Sequence, residues 1–125
     1  MARILIAEDE EALCAMCARA LATDGHEVKT AHDGSEALDV LSRDEGGFDL
    51  LLTDVRMPIM DGIALALAAA RDFPQLTILL MTGYADQRER AQGLDALIHD
   101  VITKPFTIAT LRAAVNEALT VGARR

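Results

Sequence analysis

The chain has 125 residues, the size of one domain, and we expect a single domain over residues 1–125 with no output domain attached. Lys and Arg number 12 against 20 for Asp and Glu, so the net charge of −8 disfavours direct binding to nucleic acid or to an anionic membrane surface. The 51% of hydrophobic residues predicts a folded core, and no apolar run approaches the roughly 20 residues that cross a bilayer. We therefore expect a globular cytoplasmic protein.

Short apolar runs alternate with longer segments of helical period along the first half of the chain. Strands are predicted over Arg3–Ala7, Val28–Ala31 and Leu50–Asp54. Helices are predicted between them, over Glu11–Thr23 and from an Asp33-Gly34-Ser35 start onwards. The third strand is apolar almost throughout, which is typical of a strand covered by helices on both faces, so we expect it at the centre of a sheet.

The second half continues the same alternation. Two more strands are predicted over Leu76–Met81 and Val101–Thr103, and three more helices over Ile63–Asp72, Ala85–Leu97 and Thr107–Leu119, the last capped by Thr107. Strands joined by helices of this length form right-handed crossovers and a parallel sheet between two layers of helices. The predicted fold class is a doubly wound α/β sandwich.

Cys14 and Cys17 form a C-x-x-C motif within the first predicted helix. No second cysteine pair and no nearby histidine completes a zinc site, and the motif does not follow a strand as a redox pair does. We interpret both cysteines as small residues on the core-facing side of the helix.

Polar and charged residues stand at the carboxyl ends of four of the predicted strands. Glu8 and Asp9 follow the first strand, Asp54 ends the third, Thr82 follows the fourth and Lys104 follows the fifth. In a doubly wound sheet the ligand crevice lies outside the carboxyl ends of the strands, so we expect these five side chains to converge on one edge. Each acid alone is more simply explained as a helix cap or a solvated loop residue, but the set of five is not.

The three carboxylates repel one another unless cations compensate them. Lys104 is one such cation, and a divalent metal ion is another. Oxygen ligands without histidine or cysteine suit a hard cation, and Mg²⁺ fits best because it takes one or two carboxylates together with a phosphate group. A carboxylate beside Mg²⁺, a lysine and a hydroxyl can carry out phosphoryl transfer, with Asp54 as the nucleophile.

Four segments at these strand ends are informative when taken together. They are Ile4–Asp9, Leu50–Gly62, Met81–Gly83 and Thr103–Phe106. In their order and spacing, the chain resembles the response-regulator receiver domains of two-component signalling over nearly its whole length. The resemblance implies a flavodoxin-like (βα)5 three-layer sandwich with a five-stranded parallel sheet of order 2-1-3-4-5.

The resemblance also implies roles for the residues at the strand ends. Asp54 is expected to be the phospho-acceptor, and Lys104 and Thr82 are expected to hold the phosphoryl oxygens. The bond between Lys104 and Pro105 is expected to be cis. No enzymatic activity is implied beyond the chain's own phosphorylation and slow dephosphorylation. The implied Mg²⁺ ligands are Asp9, Asp54, the backbone carbonyl of Arg56 and, largely through water, Glu8.

By the same resemblance, the phosphoryl group comes from a phosphohistidine on a histidine kinase or a histidine phosphotransfer protein. The chain then acts on a downstream protein target or passes the phosphoryl group onward in a relay, without contacting nucleic acid or membrane. The donor is expected to meet the first helix and the loop after Lys104, where Leu13, Met16, Phe106 or Ile108 can offer apolar contacts. Core packing is the alternative interpretation of each of these four side chains.

One position departs from the family pattern. The family often couples the hydroxyl at the Thr82 position to an aromatic side chain three residues before the lysine, and this chain has Val101 there. We therefore expect the signal to travel by displacement of the loop and of the helix over Ala85–Leu97, with Tyr84 as a partial substitute for the missing ring.

The sequence leaves alternatives open. The runs Ile6–Asp9 and Leu51–Val55 resemble stand-alone receivers, whereas Met81–Asp86 equally resembles receivers attached to hybrid histidine kinases, and of the two we expect the stand-alone form. A phosphorylation-independent adaptor on the same fold is a further alternative, although such proteins usually lose a site residue and none is lost here. An aspartyl phosphatase is disfavoured because Arg56 stands where its second acid is needed. A flavin carrier is disfavoured because Glu8-Asp9-Glu10-Glu11 repels the flavin phosphate.

Overall fold

The computed structural model of the chain describes residues 2–44, 47–83, 94 and 96–123. Five strands and four helices lie within these residues. Tyr84 and most of the helix predicted over Ala85–Leu97 lie outside them. The elements in chain order are β1 (Arg3–Ala7), α1 (Glu11–Thr23), β2 (Glu27–Ala31), α2 (Gly34–Arg43), β3 (Leu50–Asp54), α3 (Gly62–Asp72), β4 (Thr77–Thr82), β5 (Asp100–Thr103) and α4 (Ile108–Ala123).

The five described strands form one sheet in which neighbouring strands pair in parallel. The strand order is β2-β1-β3-β4-β5, which confirms the predicted flavodoxin-like order 2-1-3-4-5. β3 lies at the centre and all of its residues are buried, as its continuous apolar run predicts. β2 forms one edge, and most of its residues are exposed or half-buried.

Alternate residues of the strands point to opposite faces of the sheet, and helices cover both faces. On one face, Leu5, Leu51 and Leu80 pack with buried residues of α2 and α3. On the other face, Ile6 and Leu52 pack with buried residues of α1 and α4. The predicted three-layer sandwich is therefore confirmed.

Cys14 and Cys17 lie on the side of α1 that packs on the sheet, at 3% and 0% exposure. Both are free thiols. Burial raises the pKa of both thiols, that of Cys17 to about 11, so neither is ionised near neutral pH. The interpretation of this motif as a core-facing pair is confirmed.

Three strands begin elsewhere than predicted: β5 begins at Asp100 rather than Val101, and the shifts of the other two have a visible cause. β4 begins at Thr77 rather than Leu76, because the amide of Leu76 donates within the turn that precedes the strand. β2 begins at Glu27 rather than Val28, because the amide of Glu27 donates to the carbonyl of Ala2 beside β1. Both shifts follow backbone hydrogen bonds that side-chain periodicity does not reveal.

The last helix, α4, has the predicted cap but a later end. The amide of Thr110 donates to Oγ1 of Thr107 at 3.0 Å, which confirms the cap. The helix continues one further turn beyond the predicted end at Leu119, where Gly122 packs closely against the side chain of Thr77. Among the described residues, no helix combines the length and the apolar character that crossing a membrane requires.

Leu52 tests how much the central strand contributes to stability. Its side chain is fully buried in β3 and its truncation leaves a cavity, so we expect Leu52→Ala to lower the free energy of unfolding by about 2–5 kcal/mol. Leu67→Ala is the matched control, because Leu67 is 46% exposed, and we expect it to cost less than about 1 kcal/mol. Urea unfolding followed by circular dichroism measures both variants. Equal losses would contradict the placement of β3 in the core.

Candidate functional site

The register of the sheet brings the carboxyl ends of the central strands level with one another. Ala7 of β1 pairs with Thr53 of β3, which is the neighbour of Asp54. Thr82 of β4 pairs with Thr103 of β5. The residues that follow these strands therefore leave the sheet along one edge, as the strand-end pattern predicts.

A cavity of about 640 Å³ opens at this edge. It brings together four of the five strand-end candidates, while the fifth, Thr82, is buried in β4. The lining residues are Glu8, Asp9, Glu10, Leu13, Asp54, Arg56, Gly83, Lys104, Pro105 and Phe106.

Three carboxylates meet in this cavity. One oxygen from each of Glu8, Asp9 and Asp54 lies within 4.8 Å of the others. Glu8 and Asp54 are buried, at 1% and 6% exposure, whereas Asp9 is exposed. The buried pair of acids needs a cation beside it, because two desolvated carboxylates repel each other.

Lys104 supplies that cation. Its Nζ lies 2.9 Å from Oε1 of Glu8 and 3.0 Å from Oδ2 of Asp54. Burial acts to lower the pKa of Lys104, but the contacts with Glu8 and Asp54 outweigh burial, so the pKa is raised and the ammonium form is retained. One cation thus bridges a carboxylate that follows β1 and a carboxylate that ends β3.

Glu8 is strongly affected by its burial. Burial raises the pKa of Glu8 to about 7, and the nearby Asp54 carboxylate acts in the same direction. Two donors oppose this rise: the amide of Glu10, 3.0 Å from Oε2, and Nζ of Lys104, 2.9 Å from Oε1. Both carboxylate oxygens of Glu8 are therefore fixed by hydrogen bonds.

The loop after β3 is held close to Asp54 by backbone contacts. The amide of Gly62 donates to the carbonyl of Val55 at 2.8 Å, and a Cβ atom at this glycine would collide with the carbonyl of Asp54. Within the same loop, the carbonyl of Met60 accepts a hydrogen bond of 3.1 Å from the amide of Gly34, the first residue of α2. Two backbone hydrogen bonds, one within the loop and one to α2, therefore fix the position of the loop.

Ile59 at the tip of this loop is both strained and exposed. Its φ of 70° lies in the left-handed region, and the amide of Met60 donates across it to the carbonyl of Pro58 at 2.8 Å, which forms a γ-turn. A side chain in the left-handed region costs about 1–2 kcal/mol. The side chain of Ile59 is also 84% exposed. The backbone hydrogen bonds of the loop, and not the conformational preference of Ile59, therefore determine the backbone conformation here.

The ends of β4 and β5 are joined by a backbone hydrogen bond. The amide of Lys104 donates to the carbonyl of Thr82 at 2.8 Å, and Gly83 forms the cavity wall at this point. The bond between Lys104 and Pro105 is cis, as the resemblance implies. Val101 on β5 is half-buried against the core, so this position offers a short aliphatic side chain where the family often has a ring.

The acidic cluster suits a small, hard cation. Two oxygens bound to one Mg²⁺ at about 2.1 Å are separated by at most about 4.2 Å. Oxygens that already lie within 4.8 Å of one another need only a small adjustment to share one ion, so Asp9 and Asp54 can ligate directly. Glu8 uses both oxygens in hydrogen bonds, which fits binding through water. Arg56, whose backbone carbonyl is the remaining predicted ligand, lines the same cavity.

The four apolar side chains considered for partner contact divide between two cavities. Leu13 and Phe106 line the site cavity, whereas Met16 and Ile108 line a second one of about 250 Å³ between α1 and α4. Ile108 is 41% exposed. The other three are half-buried and pack against the core, so each has both a packed and an accessible side.

Two contributions to the site were not predicted from the sequence. The amide of Glu10 fixes one oxygen of Glu8, and the side chain of Arg56 is exposed where the residue lines the cavity. The only indication of these contributions in the sequence is position, since Glu10 stands two places after Glu8 and Arg56 stands two places after Asp54.

Comparisons with known proteins agree with this geometry. A family model described as "Response regulator receiver domain" matches residues 4–116. Response regulator MprA of Mycobacterium avium (strain 104) is 37% identical over 117 residues, which cover 94% of this chain and 50% of that protein. The MprA protein of Mycobacterium tuberculosis (strain ATCC 25618 / H37Rv) gives the same identity and coverage. The chain thus spans about half the length of the curated relatives it matches.

Solved structures are similar over nearly the whole chain. A CheY-like receiver domain protein from Methanospirillum hungatei JF-1 has a TM-score of 0.91 at 28% identity, covering 99% of this chain and 98% of that one. TrrA from Thermotoga maritima, solved in complex with Mg(2+)-BeF, has a TM-score of 0.82 at 27% identity, covering 94% of this chain and 99% of that one. From the family match, the sheet order and the acidic strand-end cluster, the chain belongs to the response regulator receiver domain family.

Proposed function

We propose that the chain is a phosphorylation-dependent signalling switch in which Asp54 accepts a phosphoryl group from a phosphohistidine donor. Membership of the receiver family is consistent with phosphorylation-dependent signalling. The observation that carries the proposal is the position of Asp54 on the cavity wall, with Nζ of Lys104 3.0 Å from its carboxylate. A nucleophilic carboxylate that is paired with a cation and open to a cavity can accept a phosphoryl group from a second molecule.

The proposed transfer is a displacement at phosphorus. A carboxylate oxygen of Asp54 attacks the phosphorus of a phosphohistidine on a histidine kinase or a histidine phosphotransfer protein. A P–O bond forms and the P–N bond breaks, and the departing imidazole nitrogen keeps the electron pair and takes up one proton from water. The product is an aspartyl phosphate, which water later hydrolyses to the carboxylate and inorganic phosphate.

Lys104 and Thr82 are the proposed partners of the phosphoryl oxygens. The ammonium of Lys104 now contacts Glu8 and Asp54, and we propose that it passes one of these contacts to the arriving phosphoryl group. Its pKa is raised, so it stays charged throughout the transfer. Thr82 ends the strand beside β5, and its hydroxyl is proposed to hold a second phosphoryl oxygen.

Asp9, Asp54 and the carbonyl of Arg56 are proposed to hold Mg²⁺, with Glu8 acting through water. When bound, Mg²⁺ neutralises negative charge on the transferred group. Without a metal ion, the three carboxylates and the incoming phosphoryl group face two cations among the described residues of the lining, Arg56 and Lys104, and Lys104 is shared between Glu8 and Asp54. We therefore expect phosphorylation to require the metal ion.

The proposed output is a change in protein contacts. The phosphoryl group stays covalently attached to Asp54, so the chain is proposed to act as a switch or a relay and not as an enzyme on other molecules. The net charge of −8 favours a protein target over nucleic acid or an anionic membrane. Because Val101 offers no ring, the signal is proposed to travel by displacement of the loop after β4 and of the helix predicted there.

Incubation with acetyl phosphate and Mg²⁺ tests the proposed function. We expect the intact mass of the wild-type chain to increase by one phosphoryl group, and we expect Asp54→Asn to abolish the increase because the amide is not a nucleophile for phosphorus. Asp39→Asn is the matched control, because Asp39 is an exposed acid on α2, and it should be modified as the wild type is. Mass spectrometry of the intact protein measures all three.

Two outcomes would contradict the proposal. Modification of Asp54→Asn to the wild-type extent would place the acceptor elsewhere. A wild-type chain that is neither modified nor altered in its amide NMR spectrum by Mg²⁺ with beryllofluoride, which imitates the phosphoryl group, would favour the phosphorylation-independent adaptor.

Lys104→Met tests the proposed role of the bridging ammonium. Loss of a charge-assisted hydrogen bond to the phosphoryl group is expected to slow phosphorylation by acetyl phosphate about tenfold or more. Lys29→Met is the control, because Lys29 is exposed and pairs with Asp44 away from the cavity lining. The rate of appearance of the phosphorylated mass measures both, and equal rates for the two variants would remove Lys104 from the transfer step.

A further inference from the structure

The helix α3 is apolar on both of its sides, although one side faces away from the sheet. We infer that this outward side is an interface on which a second copy of the chain packs, with the two α3 helices antiparallel about a two-fold axis. No residue of the acidic cavity takes part in it, so the interface stands independently of the proposed function.

The side chains of α3 separate into an inward and an outward face. The inward face packs on the core and consists of Leu65, Ala66 and Ala69. The outward face consists of Ala64, Leu67, Ala68 and Arg71. Steps of three and four residues place these four on one side of a helix. Leu67 stands at their centre and is 46% exposed, so a large apolar side chain projects from this face.

The outward face of α2 shows what is usual for a surface helix. Its exposed residues are polar, namely Asp39, Ser42 and Arg43. The outward face of α3 instead offers three apolar side chains and one arginine. A helix that is apolar all round is typical of one that is covered on both sides. A second molecule on this face therefore accounts for the composition of α3.

The charges of α3 favour a second copy of this chain as that molecule. Arg71 and Asp72 are the only charged residues of the helix, and they pair with each other at 2.9 Å between Nε and Oδ1. The whole chain carries a charge of −8, so two copies repel each other. Because α3 itself has no net charge, contact through this helix adds nothing to that repulsion.

The face is also complementary to itself. Helical side chains lean toward the start of the helix, so Arg71 can extend back toward the level of Leu67. In an antiparallel pair whose two-fold axis crosses α3 near Ala69, each Leu67 lies opposite the aliphatic stem of the other copy's Arg71. Each guanidinium then comes within reach of the other copy's Asp72. Both side chains are accessible for this exchange, at 75% and 44% exposure.

The size of the face sets the strength of the dimer. Ala64 and Ala68 have small side chains, which lets a second helix approach to about 8 Å between the two axes. The face covers only about two turns of helix, well below the roughly 800 Å² that each partner buries in a stable complex. We therefore expect a reversible dimer with a dissociation constant of about 0.1–1 mM.

Sedimentation velocity of the full chain tests the interface directly. The protein is studied from about 10 μM to about 1 mM, at about 0.15 M salt, where a Debye length of about 8 Å screens most of the repulsion between two copies. We expect the weight-average sedimentation coefficient to rise with concentration. Over the same range, the amide NMR shifts that change are expected to cluster at residues 64–71.

Two pairs of matched variants locate the interface. Leu67→Lys places a charge at its centre and should raise the dissociation constant tenfold or more, whereas Leu97→Lys, at a residue 42% exposed before β5, makes the same change in net charge and should leave it unchanged. Arg71→Glu should raise it about threefold to tenfold, because both exchanged ion pairs become repulsive. Arg43→Glu on α2 is its control. Thermal unfolding verifies that each variant is folded.

Three outcomes would overturn the inference. A wild-type chain that stays monomeric up to about 1 mM would leave this face to a different protein. Equal weakening by Leu67→Lys and Leu97→Lys would show that net charge, and not the face, controls association. If Leu67→Lys does not fold, equal dissociation constants for Arg71→Glu and Arg43→Glu would place the contact elsewhere. Failure of Asp54 to accept a phosphoryl group would leave all of these results unchanged.

Discussion

The contact of the Lys104 ammonium with the carboxylates of Glu8 and Asp54 is the interaction on which the site depends. Lys104 is separated from Glu8 by 96 positions in the chain, and only the sheet order 2-1-3-4-5 sets the ends of their strands along one edge. Removing the cation would leave two buried carboxylates facing each other, which is costly in a desolvated site. The charge pattern of the site therefore depends on the parallel arrangement of the sheet, because all four contributing strands end at the same edge.

Much of the fold could be predicted from the chain because its signals are long and redundant. The apolar run of β3, the alternation of strands with helices and the polar residues at the strand ends each point to the same sheet, and the structure confirms its order. The errors fall at element ends such as Thr77, where a backbone hydrogen bond decides the boundary and side-chain periodicity carries no information about it. The convergence of strand-end residues was predictable for the same reason as the fold.

The burial of each charged side chain at the site could not be predicted from the sequence. Glu8 and Asp9 are neighbours with the same type of side chain, yet one is buried and the other exposed. Glu8 directly follows β1 and its amide still donates to the carbonyl of Ala31 in β2, whereas Asp9 lies one residue farther from the strand. That difference places the pKa of Glu8 at about 7 and leaves Asp9 accessible to solvent. The strain at Ile59 is likewise invisible in the sequence, since it results from the backbone hydrogen bonds of the loop. Local geometry of this kind depends on contacts that form only in the folded protein.

The two buried thiols of α1 can be used to measure how often this helix opens from the sheet. Cys14 and Cys17 lie on the side of α1 that faces the sheet, in the helix that follows Glu8 and Asp9 of the acidic cluster. A labelling reagent can reach them only when the helix lifts away, so the rate of modification under native conditions measures the free energy of that opening. The interface between α1 and the sheet begins close to Glu8 in the chain. A ligand that binds the acidic cluster and stabilises this end of the helix would therefore slow the labelling of both thiols without contacting them.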